Sequence, residues 1–209
     1  SSAASDVYKR QLLHFESEDS AEELLTGAGF LLIVKGDGNE VDMGTVIVRC
    51  SSILGMTGLK LIIGQLPGLG AGVSRTANGC SVTIGDRVVI NGVTLYLQED
   101  HSRVSIGDDS QLSWGVDVWC TDAHTITDLE GNPVNYAESI EIGRHVWVGK
   151  DVKIGKNVRI ADNSIVGWGS IVTKRFDEPN VILAGTPAKI VKRGINWDRK
   201  CINKYAKGL

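Results

Sequence analysis

Three side chains close together in this sequence have the chemistry to move a proton or steady a developing charge. His124 lies in WCTDAH, residues 119–124, where a regular apolar repeat breaks off. An imidazole, with an ordinary pKa of about 6.5, suits a general base at neutral pH. The plainer reading is a surface histidine on an ordinary loop. Trp147, in HVWVG, offers one N–H donor and no acceptor, which fits it to hold a carbonyl or an oxyanion. Its alternative is packing on an outer face. Asp122, two residues before His124, either orients the imidazole or is a solvated loop carboxylate. His101 and His145 read as turn residues, and His14 lies in the N-terminal segment. No metal is expected. The four cysteines, Cys50, Cys80, Cys120 and Cys201, are scattered without a CxxC spacing, as reduced core residues are.

The element that must position these residues is a repeat. Ile142, Val148, Ile154, Ile160, Val166 and Val172 return every sixth position, each followed by a small residue: Gly143, Gly149, Gly155, Ala161, Gly167 and Thr173. Val146, Val152, Val158, Ser164 and Ser170 keep the same step four positions after a lead. Six residues at about 3.3 Å each make a short strand and a corner, and three such faces close a triangular coil. The branched residues point inward as stacked ladders. The small residue is expected at the corner, where a Cβ would clash or φ is unusual. Val118 lies four periods before Ile142, so the count stops there and resumes in phase. The segment 120–139 is therefore expected to leave the coil, carrying a polar His124 away from the Ile and Val ladders. Handedness is not encoded in the period.

The chain has 209 residues, 42% of them hydrophobic and 6% aromatic, with 25 Gly and 4 Pro. Many glycines with few aromatics suit tight turns and thin repetitive packing, and the length allows one domain. The net charge of −3 argues against a nucleic-acid partner. No apolar run is long enough to span a membrane. Residues 1–11, SSAASDVYKRQ, read codon by codon as the translation of a transposase sequencing adapter and are set aside as a scar; the natural start of the gene is then expected to be missing. Residues 12–30 are expected to form a helical cap, with Ser20 and Glu23 as a capping box ahead of Leu24 and Leu25. Residues 31–175 are expected to form the coil and 176–209 a basic tail ending in a short helix. GLGAGV at 68–73 lies in no dinucleotide-binding unit and reads as a loop between coils.

Between Val118 and Arg199, the stretches TDAH, IGRHVWVG, GWGSIVTK, EPNVILAGTPAKIVK and GINWDRK together resemble the bacterial sugar and capsule O-acetyltransferases of the hexapeptide-repeat superfamily. The layout is similar to that of polysialic acid O-acetyltransferases, including the Gly-Asp-Gly-Asn run at 36–39 and a tail with Trp before a basic residue. Residues 31–105 share only a general likeness. The resemblance implies a mainly β fold, a left-handed parallel β-helix, assembled as a homotrimer with cofactor clefts between neighbours. It implies acetyl-CoA as acyl donor and direct transfer to a hydroxyl of a bacterial surface polysaccharide or sugar precursor in the cytoplasm. His124 would be the general base, with Trp147 beside it and Asp122 orienting the ring or binding the acceptor. Gly149, Gly167 and Ser170 would let the pantetheine arm lie against the backbone. Lys174, Lys189, Lys192 and Arg193 would pair with phosphates, and Ala184, Gly185 and Thr186 would border the nucleotide. Trp168 stands where the similar enzymes commonly carry Ala, and either stacks on the cofactor or obstructs it. N-acetylation of an amino sugar and a non-catalytic β-helical scaffold remain open readings. The zinc-dependent carbonic anhydrases of this scaffold are a poor match, because His101, His124 and His145 lack their clustered spacing.

Overall fold

In the computed structural model the described residues are 4–8, 11–15, 23–27, 30–34, 38–51, 56–64 and 76–206. They form a prism of three sheets whose coil strands run parallel. One face stacks Val46–Ser51, Val88–Ile90, Gln111–Leu112, Trp147–Val148, Ile165–Val166 and Val181–Gly185. A second stacks Phe30–Val34, Met56–Ile63, Gly92–Leu97, Val116–Cys120, Lys153–Ile154 and Ile171–Val172. The third stacks Asn39–Met43, Ser81–Ile84, Arg103–Ile106, Ser139–Ile142 and Arg159–Ile160, with Phe176 bridging to Ile160. The chain visits second, third and first face in turn. This is the left-handed β-helix.

The core is three ladders, one per face. Val48, Ile90, Leu112, Val148, Val166 and Leu183 stack in register on the first. Leu32, Leu61, Leu95, Val118, Ile154 and Val172 stack on the second. Met43, Ile84, Ile106, Ile142, Ile160 and Phe176 stack on the third. All eighteen are buried, so each rung contributes apolar area at the axis, and each outward neighbour is free for other work.

The corners show why the small residue is needed. A Cβ on Gly107 would lie 2.6 Å from Arg144 N and 2.7 Å from Gly143 C. Close approach of the next coil is the cause. The unusual φ falls elsewhere, three residues after a lead: His145, Asp151, Asn157 and Asn163 have φ of 52–59°, and Gly169 has 65°. Corners such as that at Gly107 thus exclude a side chain at one position, others admit Ala161 or Thr173, and the corners after Ile142 to Val166 take a left-handed backbone two residues later.

The helix expected over 12–30 is corrected by the structure. Gln11–Phe15 and Glu23–Gly27 are strands, paired antiparallel with Asn39–Met43 and Phe30–Val34. Ala4–Tyr8 likewise pairs with Val46–Cys50. The first coil would otherwise leave one open backbone edge on each face, and extended segments fill such edges where a helix cannot. Ser20, and with it the expected capping box, lies outside the described residues, as do GLGAGV and the first two residues of the Gly-Asp-Gly-Asn run. At the other end Ala188–Arg193 pairs antiparallel with Val181–Gly185. The tail then turns back along the prism: Ile195 bonds Asn180, the Trp197 indole N–H donates to His145 O at 2.7 Å, and Arg199 donates to Arg87 O and Asp109 O. Its helix is one turn, Ile202–Tyr205.

Candidate active site

Had the pattern continued past Val118, the next inward lead would have been position 124. Instead the chain leaves the prism after Cys120 and the third-face ladder resumes at Ile142. The excursion folds on itself as a small hairpin. Val134 N–H donates to Ile126 O, Thr127 bridges Pro133, and Asp128 accepts from Asn132 N–H and from its side-chain amide. The Asn132 amide and nearby backbone N–H groups outweigh burial and hold the Asp128 carboxyl below the usual range.

His124 sits where the hairpin leaves the prism, and its main chain is held on both sides. Upstream, Ala123 takes a left-handed φ of 61°. Its N–H donates to Thr121 Oγ1 at 2.8 Å, and the Thr121 hydroxyl donates to Glu99 Oε1 at 2.7 Å. Downstream, the Asn135 amide donates to His124 O at 2.9 Å and to Asp122 Oδ2 at 2.8 Å, and accepts from Ile126 N–H at 2.9 Å. Lys156, between the strands Lys153–Ile154 and Arg159–Ile160, donates to the Asp122 carboxylate and to Asn135 O. Burial works against the ionised form of Asp122, but Lys156 and Asn135 outweigh it and hold the carboxyl below the usual range. Asp122 therefore fastens the loop to the prism.

The imidazole of His124 makes no hydrogen bond among the described residues and lies on the wall of a cavity of about 540 Å³, with Gln98, Glu99, Thr125, Asn135 and Tyr136. Glu99 brings a second carboxylate oxygen, Oε2, that is buried and unpartnered among the described residues. Glu99, Thr121, Asn135 and Lys156 were not singled out from sequence. They have no period, and their partners lie up to 34 residues away. Cys80 and Cys120 lie deep behind this corner. Burial raises both thiols, that of Cys120 to about 12, so neither is a nucleophile.

Trp147 is elsewhere in the single chain. It faces outward on the first face, half-buried, with its ring 5.9 Å from that of Trp197, which in turn stacks on His145 at 4.4 Å. Trp147, Trp197, Lys200, Ile202 and Tyr205 line a separate cavity of about 610 Å³. The structure does not bring Trp147 and His124 together within one chain.

The small residues expected at a cofactor do gather, at the corner between first and second faces. Gly149, Gly167 and Ala184 follow the stacked Val148, Val166 and Leu183. A Cβ on Gly149 would lie 2.8 Å from Val166 O and 2.6 Å from the Trp168 ring. The Trp168 ring stands out into solvent at 74% exposure. Ser170 is spent inside the corner: it donates to Gly167 O at 2.7 Å and accepts from Gly185 N–H at 3.2 Å. Thr186 is exposed there, before a cis Pro187. Lys189, Lys192 and Arg193 are exposed on the last strand, with Arg193 paired to Glu178. Lys174 lies apart, at the corner that also bears the His124 loop, with its ammonium 5.3 Å from the Phe176 ring. Along Gly149, Gly167 and Ala184, beside the Trp168 ring, a thin arm would meet no side chain larger than the Ala184 methyl, and the cations nearby suit phosphates.

No protein-family model matches the chain. It is 35% identical over 180 residues to a polysialic acid O-acetyltransferase of Neisseria meningitidis, covering 84% of this chain and 82% of that one. It is 34% identical over 142 residues to a polysialic acid O-acetyltransferase of Escherichia coli O1:K1, covering 62% of this chain but only 45% of that protein. The crystal structure of the polysialic acid O-acetyltransferase OatWY superposes with a TM-score of 0.66 at 29% identity, over 82% of this chain and 72% of the other. The ladders, the extruded loop and these likenesses agree: the chain belongs to the polysialic acid O-acetyltransferase family of hexapeptide-repeat acyltransferases.

Proposed function

We propose that this protein transfers an acetyl group from acetyl-CoA to a hydroxyl of a bacterial surface polysaccharide or its sugar precursor in the cytoplasm, with His124 as general base. The observation that carries the reading is the placement of His124: an imidazole without a hydrogen-bond partner among the described residues, on a cavity wall, on a loop whose main chain is pinned. The neutral ring accepts the hydroxyl proton as the oxygen attacks the thioester carbonyl, and the C–O bond forms. The C–S bond then breaks, and the departing sulfur recovers the proton from the imidazolium. No covalent enzyme intermediate is needed.

The His124 cavity and the small-residue corner lie at different corners of the prism, and Trp147 lines a third surface. A homotrimer, in which the corner of one copy faces the loop of another, would complete the site, and this supports the trimer that the resemblance implies. Trp147 would then lend its indole N–H to the thioester carbonyl. Acceptor-dependent release of CoA, followed by chromatography with sialic acid polymers, other capsule glycans and amino sugars, tests the reading. Release with a hydroxyl acceptor and an alkali-labile acetyl ester in the product is the expected result. An alkali-stable amide on an amino sugar would replace O-transfer with N-transfer, and no release with any acceptor would remove the proposal.

A further inference from the structure

We propose that Asn135 is the positioning residue of His124, acting through the loop backbone; this rests on His124 being the base. Nothing among the described residues bonds the imidazole, so its aim comes from the main chain. Asn135 holds that main chain from one side. Its amide meets three groups of one short stretch, the Asp122 carboxylate, the His124 carbonyl and the Ile126 N–H, across the bend that the left-handed Ala123 makes. One oxygen accepts from Ile126 N–H, and the nitrogen gives one proton to His124 O and one to Asp122 Oδ2. This uses both donors and the acceptor of a primary amide. Aspartate at this position has no donor, and leucine has neither donor nor acceptor.

Asn135 is itself anchored. Its carbonyl accepts from Lys156 Nζ at 2.6 Å, and the Lys156 side chain is only 18% exposed on the prism corner. A continuous path therefore runs from the rigid coil through Lys156 and Asn135 to the peptide of His124. The Thr121–Glu99 pair holds the other side through Ala123, but only Asn135 bonds the His124 peptide itself among the side chains described. Proton transfer requires the ring within hydrogen-bond reach of the attacking hydroxyl. A displacement of about 1 Å costs on the order of 100-fold in rate.

The test compares the wild type, Asn135→Ala, His124→Ala and the double variant, together with Asn135→Asp. Asn135→Asp keeps the acceptor for Ile126 N–H but loses both donors. For each protein kcat, KM for acetyl-CoA and the stoichiometry and Kd of CoA binding are measured. Expected are a fall of about 10- to 100-fold in kcat for both Asn135 variants, KM and Kd within twofold, and full CoA stoichiometry. The double variant should be no slower than His124→Ala. Asn135→Ala with wild-type kcat beside an inactive His124→Ala would overturn the positioning role and leave the base intact. A fall in kcat matched by lost CoA sites would overturn it too, showing a structural role alone. Full activity of His124→Ala would remove the base, and the positioning role with it.

Discussion

Replacing Lys156 with Met should loosen the catalytic loop without disturbing the coil. The ammonium donates to the Asp122 carboxylate and to Asn135 O, and Met keeps the apolar stem. Hydrogen bonds to charged groups are worth about 1.5–3 kcal/mol when buried. Lys156 is 18% exposed and Asp122 36%, so water recovers part of that loss. We expect the loop to close less favourably by about 1–2 kcal/mol, a population of open loop raised about 5- to 30-fold. The ladders at the axis are untouched, so the urea midpoint should fall with an unchanged slope. Limited proteolysis should cut within residues 121–138 faster by the same factor, because cleavage follows the open population when opening is fast. The fall in kcat should follow as well. Wild-type cleavage and wild-type kcat in Lys156→Met would refute the reasoning, since the loop would then be held by something other than this anchor.

Acid should act on the same anchor. The Asp122 carboxyl is held below its ordinary value, so its contribution is complete above about pH 3.9 and is lost as pH falls through the lowered folded value; Asp122→Asn should flatten that acid limb in a stability-versus-pH titration. Gly107→Ala should cost about 1–3 kcal/mol in urea unfolding, because its Cβ would meet backbone atoms of the next coil at 2.6–2.8 Å; an unchanged midpoint would mean the corners are looser than described. Of the described thiols, exposed Cys201 should react rapidly with a thiol reagent, and buried Cys80 and Cys120 only on unfolding, as mass mapping of the labelled peptides would show.

What could be read in advance follows from what has a period. Ile142 to Val172 recur every sixth residue because each must fill the same place in a stacked coil, and all six proved to be ladder rungs. The departure at Cys120 was legible for the same reason. Of the left-handed corner positions His101 and His145 were read as turns, but Asp151 and Asn157 were not, because these positions share backbone shape rather than side-chain type. The N-terminal leucine pairs fit a helix or an edge strand equally well, and only the open edges of the first coil decide between them. Asn135 and Lys156 hold the stretch around His124 through side-chain bonds to residues 9 to 34 positions away, and such bonds leave no pattern in one sequence. The separation of Trp147 from His124 was hidden too, because the motifs sit on different faces of the prism.

The most direct test of the central claim is transfer by His124→Ala under saturating acetyl-CoA and acceptor, with CoA binding measured on the same sample. The account predicts CoA binding within about twofold of wild type and a rate reduced by the 10²- to 10⁴-fold typical of a lost general base. CoA binding retained with an undiminished rate would contradict it, and the proton would have to leave by another group.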